Sequence, residues 1–514
     1  MDSIASKDIG SITGIESVQI LRGHHAGRQE IDRGYLLDPG ICWQALYSRD
    51  RRFDGRFFAG ATTTGLYCRN ICPVPFAKPE NILLFSCAAG AESVGFRPCK
   101  RCQPQAAPGT PAWLGTSAVV ARALRLILEG ALNDGSVEEL AERLGLGSRQ
   151  LRRLFVQHLG ASPLEIATTH RIQLARKLID EAKLPMTQIA FCSGFNSIRE
   201  FNHAIRLSTG HSPSELRRAT STLRADDHLS GLELRLSYRR PFDWESLIAF
   251  LKPRAIPGVE LVTESSYQRT IEIAGVPGFL TVRHDDAGSR LVVHLETSSH
   301  EGLAQTVERI RSLFDLGADP TQIASHLSRD PKLRRLLKLR PGLRAPGAWD
   351  AFETAVLAVL GQKLTTPGPK RAVTQFVRMF GTPVDTSIGG QKYLFPRPEI
   401  LAVADLSKAG ICDSSASILR KLATSAIRRR LGLTTERNLE QAVSKLGAIC
   451  GIDESTANYI AMRAFGEPDA FPSNELRLRR RLAGSSSVLR SAQALTMAER
   501  WRPWRAYAAM HVAQ

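Results

Sequence analysis

The chain has 514 residues and a formal net charge of +18, from 68 Lys plus Arg against 50 Asp plus Glu. Such a length predicts three or four domains with real cores, and the cationic excess favours a polyanionic partner. No apolar run approaches bilayer-spanning length, and Met1-Asp2-Ser3-Ile4-Ala5 starts no charged-then-apolar leader, so a cytoplasmic protein without a membrane partner is expected. Residues 1–40 carry no readable pattern and form an unassigned extension.

Nine cysteines occur, and four of them fall as Cys68-x3-Cys72 and, after a 26-residue gap, Cys99-x2-Cys102. Two short-spaced pairs separated by a loop are the spacing of a tetrahedral zinc site, since each pair chelates from one turn. The alternative, free core thiols that happen to cluster, fits two such pairs poorly. Cys42, Cys87, Cys192, Cys412 and Cys450 are scattered, as suits a reducing compartment. Arg69, Arg97, Lys100 and Arg101 flank the ligands, as phosphate contacts or as a solvated charged face. The surrounding Phe53-Asp54-Gly55-Arg56-Phe57, Thr62-Thr63-Thr64-Gly65-Leu66-Tyr67-Cys68-Arg69 and Gly95-Phe96-Arg97-Pro98-Cys99-Lys100-Arg101-Cys102 resemble the N-terminal domain of the Ada adaptive-response proteins.

That resemblance implies a domain over 41–106 that repairs methylated DNA phosphate, with Cys68 as methyl acceptor and one Zn2+ held by Cys68, Cys72, Cys99 and Cys102. A thiolate on a metal is nucleophilic at neutral pH. Four thiolates on one zinc carry a net charge of minus two, so methylating one of them weakens the repulsion of a phosphate backbone and should tighten DNA binding.

A Pro-rich connector, Gln103 to Pro111, marks a boundary. Beyond it a unit repeats. Ser136-Val137-Glu138-Glu139 is a capping box opening a short helix to Leu144. After the turn Gly145-Leu146-Gly147, a second helix from Ser148 to Leu159 carries Leu151, Leu154, Phe155 and Leu159 on one face. The unit recurs as Ile189-Ala190, Gly194-Phe195-Asn196, and a helix from Ser197 to Leu207 with Ile198, Phe201 and Ile205 inward. A long helix from Pro163 to Glu181 joins the two. Paired units in this order resemble the AraC-type double helix-turn-helix, here 112–220. In that layout the second helix of each unit enters a major groove, presenting Arg149, Gln150, Arg152 and Arg153, then Arg199, Asn202, His203 and Arg206. Arg, Gln and Asn are the side chains that pair bidentately with guanine and adenine edges. A basic helical bundle is the alternative, and two units in register argue against it.

From Leu232 strand-like alternation appears in Leu232-Glu233-Leu234-Arg235-Leu236, Thr270-Ile271-Glu272-Ile273 and Leu291-Val292-Val293-His294-Leu295. Helices at Ser246–Leu251 and Leu303–Phe314 complete a small α+β unit over 231–317. The remainder, 318–514, reads almost wholly helical. Pro341 to Asp350, Phe352-Glu353, Gly361-Gln362, Leu394-Phe395-Pro396, Thr456 to Arg463 and Glu499 to Arg505 together resemble 3-methyladenine DNA glycosylases of the AlkA type. The whole resembles the Ada–AlkA fusions of bacteria, a multidomain α+β architecture: a small zinc-bound α/β domain, an all-α double helix-turn-helix, an α+β subdomain and an all-α helix-hairpin-helix domain.

The glycosylase resemblance implies base flipping, stacking of the flipped base on aromatics such as Tyr459, and a carboxylate supporting the positive sugar. It also implies a hairpin that grips the DNA backbone through Gly451 and a bound monovalent cation. At these positions the sequence departs from the family. Asp453 replaces a hairpin glycine, bringing a negative charge and less freedom at positive φ. Ser455 stands for a pocket tryptophan, Lys363 for the wedge residue, and Ala513 for a stacking tryptophan. Glu475 takes the place of the catalytic aspartate. Two functions follow: a bifunctional repair enzyme and regulator, or a methylation-sensing regulator whose glycosylase module is catalytically degenerate. The implied partners are double-stranded DNA (methylated backbone, promoter operator, alkylated bases) and RNA polymerase, at the bacterial nucleoid.

Overall fold

Asp38 accepts hydrogen bonds from Gly40 and Ile41 and so caps the first helix, α1 (Pro39–Tyr47). The computed structural model describes residues 38–99, 101–102, 104, 118–133, 135–181, 184–221, 231–299, 302–363, 369–384, 393–428, 439–450, 452–484 and 487–514. After α1 come β1 (Phe58–Ala61), β2 (Leu66–Arg69), β3 (Ile82–Phe85), α2 (Ala88–Ser93) and β4 (Arg97–Pro98). The sheet order is β3-β1-β2-β4, antiparallel except that β2 and β4 run parallel. Phe57, Ala59, Ile82 and Leu84 bury one face with Leu46, and Phe58, Tyr67, Leu83 and Phe85 the other.

The next unit is helical: α3 (Ala118–Leu128), α4 (Val137–Arg143), α5 (Ser148–Leu159), α6 (Pro163–Glu181), α7 (Met186–Cys192), α8 (Ile198–Thr209) and α9 (Pro213–Ser221). Ser136 and Glu139 form the predicted reciprocal capping box. Gly160 and Gly210 close α5 and α8 at φ 72° and 74°, which only glycine adopts without strain. Ile198, expected inward, is 40% exposed because it is the first residue of α8, whose buried face begins at Phe201.

A five-stranded antiparallel sheet follows, in the order β5-β9-β8-β7-β6, from β5 (Leu232–Ser237), β6 (Glu260–Val262), β7 (Ser266–Ile273), β8 (Val276–Asp285) and β9 (Arg290–Thr297). It packs with α10 (Trp244–Leu251) and α11 (Leu303–Leu313). The remainder holds α12 (Pro320–Leu327), α13 (Pro331–Leu339), α14 (Ala351–Lys363), α15 (Pro369–Phe380), α16 (Pro398–Val403), α17 (Asp413–Ile427), α18 (Leu439–Cys450), α19 (Glu454–Ala464), α20 (Leu476–Ala483), α21 (Ser491–Ala498) and α22 (Arg505–Ala513). It also contains a short antiparallel pair, β10 (Thr382–Pro383) with β11 (Tyr393–Leu394), where helix alone was expected.

The units are not strung apart. Ile189, Phe195, Phe201 and Ile205 of the second helix-turn-helix share one apolar core with Leu234, Val282, Leu295 and Phe314 of the sheet unit. Glu92 of α2 accepts from both Tyr67 and Thr169 at 2.7 Å, tying β2 to α6. Arg122 of α3 pairs with Glu467 at 3.0 Å, with both side chains buried.

Candidate metal centre, DNA face and cleft

Cys68 lies on β2 opposite Ala59 of β1. A turn brings Cys72 N to Arg69 O at 3.1 Å, and Cys99 N donates to Tyr67 O at 3.0 Å, which draws the second pair alongside the first. The ligand atoms of Cys68, Cys72, Cys99 and Cys102 all lie within 4.8 Å of one another. Sulfurs bound at ~2.3 Å to one tetrahedral zinc sit about 3.8 Å apart, so this cluster fits the metal with small adjustments. Thiols this close cannot all ionise unaided. The hydrogen bond between Cys68 and Cys102 pushes the Cys68 thiol up and holds Cys102 down to about 6, and a divalent cation relieves that crowding. Cys72, Cys99 and Cys102 are buried, and Cys68 alone is partly exposed.

Arg69 is turned inward, which corrects its reading as a phosphate contact. Its guanidinium pairs with Asp54 through Nε at 2.7 Å and donates to Cys102 O at 3.2 Å, while its amide donates to Cys102 Sγ at 3.4 Å. It therefore holds the ligand loop. Arg97 and Arg101 are exposed, and Arg97 lies against Gly210 at the end of α8. Lys100 is outside the described residues.

On α5, Leu151, Phe155 and Leu159 face the core, which leaves Arg149, Gln150, Arg152 and Arg153 exposed. On α8, Phe201, Ala204 and Ile205 are buried and Arg199, Asn202, His203 and Arg206 are exposed. Arg152 pairs with Glu138 at 2.7 Å, but both side chains are about half exposed, so a phosphate or base can displace that contact cheaply.

A cleft of about 870 Å³ opens between α10, β7, α14, α19 and the loop before α20, lined among others by Trp349, Glu353, Ser455, Tyr459, Asn474 and Glu475. Its carboxylate loop is well fixed. Asn458 Oδ1 accepts from Phe471 N at 3.2 Å, Ser455 Oγ accepts from Asn474 N at 2.8 Å, and Ser491 Oγ donates to Ser473 Oγ at 2.7 Å. Ser455, read as the loss of an aromatic, thus latches the segment that carries Glu475. Asp453 corrects a second expectation. Its φ is −68°, so no glycine is required, and its carboxylate caps α19 by accepting from Thr456 N at 3.1 Å and Thr456 Oγ1 at 3.0 Å.

Glu475 occupies the N-cap position of α20 without a side-chain cap bond, and Arg254 Nη2 lies 3.9 Å from its Oε1, both about a third exposed. Arg254 is fixed in turn by stacking 3.9 Å over Phe250. Tyr459 is half-buried and accepts from Arg463 Nη1 at 3.1 Å. Ala513 is not among the residues that line the cleft. The Lys363 side chain and Gly451, with any cation bound at the hairpin, lie outside the described residues. Sequence reasoning missed Trp349 and the buried Arg269–Glu353 pair at 2.9 Å beneath it, although Trp349 and Glu353 stand in a motif it singled out.

Among the described residues, no helix is long and apolar enough to cross a membrane. Three family models match the chain: the metal binding domain of Ada over 41–105, a helix-turn-helix domain over 140–219, and the AlkA N-terminal domain over 233–350. A probable bifunctional transcriptional activator/DNA repair enzyme AlkA from Mycobacterium tuberculosis is 39% identical over 92% of this chain and 95% of its own. DNA-3-methyladenine glycosylase 2 of Escherichia coli is 33% identical, covering 54% of this chain and 95% of its own. The bifunctional transcriptional activator/DNA repair enzyme Ada of the same organism is 31% identical over 29% of this chain and 40% of its own. With a zinc-binding cysteine cluster in front, paired DNA-binding helices between and a glycosylase-type body behind, the chain belongs to the Ada–AlkA fusion family.

Proposed function

We infer that the protein repairs alkylated DNA and regulates transcription in response to alkylation. The observation that carries the first step is the cluster of four cysteines in which Cys68 is the most exposed. A bound zinc supplies a set of sulfurs kept as thiolates at neutral pH. The Cys68 sulfur then attacks the methyl carbon of a phosphotriester. A C–S bond forms, the C–O bond breaks, its electron pair stays on the phosphate oxygen, and the sulfur becomes a thioether. Arg101 lies exposed beside the cluster, where a restored phosphate charge needs a cation. Arg149, Gln150, Arg152, Arg153, Arg199, Asn202 and Arg206 are the proposed DNA contacts of the regulatory step, with RNA polymerase as the further partner. A bacterial protein acting on chromosomal DNA works in the cytoplasm, at the nucleoid. Mass spectrometry after incubation with methylphosphotriester DNA tests the acceptor. A single methyl on Cys68 is expected, and a methyl elsewhere or none overturns it.

For the rear module, base release from alkylated DNA rests on the cleft that gathers Glu475, Tyr459 and Trp349. Glu475 is the proposed support for the sugar cation, and Tyr459 the stacking ring. Lys363 and Gly451, with a monovalent cation at the hairpin, are carried by family resemblance alone. A second reading, a glycosylase body retained for DNA binding, is favoured by one specific contact: Arg254 draws the Glu475 carboxylate toward itself. A base-release assay on alkylated duplex with the full chain separates the two.

A further inference from the structure

Several buried or half-buried arginines are paired with acids, as in Arg56–Asp319, Arg122–Glu467, Arg269–Glu353 and Arg505–Asp469. Away from the helix-turn-helix faces, two neighbouring helices carry exposed cations of another kind. On α13, Arg334, Arg335 and Lys338 are exposed, and on α20 so are Arg477, Arg480 and Arg481. None of the six makes an ion pair among the described residues. The spacing i, i+1, i+4 on α13 and i, i+3, i+4 on α20 gathers each trio on one face of its helix.

The two helices meet at one end. Lys332 Nζ donates to Leu482 O at 2.8 Å and to Arg481 O at 3.4 Å, so the start of α13 lies across the end of α20. Both helices turn their apolar sides inward, with Leu333, Leu478 and Leu482 in one core with Trp501, Trp504 and Tyr507. The acid that caps α13, Asp330, is withdrawn: it is buried and accepts from Trp501 Nε1 at 2.9 Å. The two trios, on helices joined at that end, make up a cationic ridge. It begins beside the cleft, because Glu475 immediately precedes α20, and leads about 12 Å away along that helix.

We propose that this ridge is an additional DNA-binding surface, taking the phosphate backbone outside both the cleft and the helix-turn-helix faces. Clustered cations without compensating acids suit a polyanion of regular charge spacing. A membrane surface fits less well, because an interfacial helix needs a broad free apolar side, and here Leu333, Leu478 and Leu482 are spent on the core while Leu339 and Leu476 are exposed singly. The ridge presents Arg and Lys without Asn or Gln, so it contributes affinity and no base preference. The proposal rests on the DNA-handling reading of the protein, and its test separates the two.

The experiment measures the affinity of the full-length, zinc-loaded protein for a random-sequence duplex across a salt series. The comparison is with the triple variant Arg334→Gln, Arg335→Gln, Lys338→Gln. Each lost phosphate contact reduces the slope of log affinity against log salt by ~0.9, so a slope shallower by about 2 to 3 is expected. Operator preference and methyl uptake at Cys68 should be unchanged, showing that the variant is folded and the front site intact. A control pair on the sheet surface, Arg235→Gln with Arg283→Gln, should leave the slope alone. An unchanged slope in the triple variant, or an equal change in the control pair, overturns the ridge while leaving the DNA-handling reading in place. A wild-type chain with no affinity for duplex overturns both. Full DNA affinity together with capture of an acidic polypeptide by the ridge assigns the surface to a protein partner and overturns the proposal.

Discussion

Arg56 Nε lies 2.7 Å from Asp319 Oδ2, with the two side chains 8% and 1% exposed. The pair joins the loop beside the zinc centre to the residue that caps α12 of the rear body, where Asp319 also accepts from Gln322 N at 3.1 Å. Two residues earlier, Asp54 holds Arg69 and through it the Cys102 loop. One short turn therefore touches both the metal centre and the glycosylase-type body. Arg56→Ala leaves a buried carboxylate without its partner, a change that costs about 3 kcal/mol when no relaxation is available. A lower unfolding midpoint and faster amide exchange in α12 are expected, with partial recovery in Arg56→Lys. Unchanged exchange in α12 would show that the pair does not fasten the units together.

The metal centre should govern the front unit's stability. Zinc binding supplies folding free energy when ligands come together only in the fold. Chelation should release one zinc per chain and expose the buried Tyr67 and Phe57, read as a shift in aromatic fluorescence and loss of methyl uptake. Cys68→Ala should abolish methyl uptake as well. Cys42→Ala and Cys87→Ala should not, because burial pushes those thiols up to about 12 and about 11, which leaves them inert.

At the DNA face, Arg149→Ala and Arg199→Ala should each relax sequence preference and cost ~1–3 kcal/mol on the preferred operator, as loss of a bidentate base contact does. Arg101→Ala should weaken specific and random DNA alike. Binding curves on matched operator and scrambled duplexes check this. Equal losses on both duplexes for all three variants would mean that none reads bases.

Local patterns were legible in the sequence, and long-range pairs were not. The ligand spacing, the Ser136–Glu139 box and the span of α6 each depend on a few adjacent residues, so the chain announces them. Arg56 and Asp319 meet across half the chain, and neither belongs to a periodic pattern that would reveal it. The merging of Phe201 and Ile205 with the sheet core was hidden for the same reason: an apolar helix face states that it is buried, never against what. Asp453 was misread because the family's glycine suggested a left-handed residue, whereas the backbone there is extended and Asp is a good cap. The cleft motif quoted Trp349 and Glu353, yet only the fold shows Arg269 beneath them.

A pH dependence follows from Asp315. It lines a cavity of about 260 Å³ where α2, α3, α6, α11 and the C-terminal helix meet, and it accepts from Tyr507 Oη at 2.8 Å and Ala345 N at 3.2 Å. Burial pushes its carboxyl up to about 6, outweighing the nearby Arg344. The folded state therefore keeps a proton that the unfolded chain releases near pH 4. Between about pH 4 and pH 6 this group's contribution to stability is lost as pH rises, by ~1–2 kcal/mol. Asp315→Asn keeps the shape and removes the titration, so its stability curve should be flatter across that window. Denaturant midpoints at pH 4.5 and 6.5 check it; parallel wild-type and variant curves would refute the assignment.

Glu475 provides the sharpest test of the rear module. Its carboxylate sits at the head of α20, makes no cap bond, and has Arg254 at 3.9 Å. The loop beneath it is held by Ser455 and Asn458, so the backbone is placed and only the side chain has freedom. If this carboxylate supports the sugar cation, Glu475→Gln should abolish base release, since charge is lost while size is kept. Glu475→Asp should raise the rate. A shorter acid at an N-cap position accepts from the helix's own amides, which withdraws it from Arg254 and fixes its position. The family's reach is restored at the same time, and a misplacement of about an ångström is worth ~100-fold. Arg254→Ala should act in the same direction as Glu475→Asp by freeing the longer carboxylate. Base release from alkylated duplex under single-turnover conditions reads all three variants. A brisk wild-type rate unaffected by Gln would make Glu475 a bystander, and no release from wild type, Asp or Arg254→Ala protein would make the rear body a DNA-binding module.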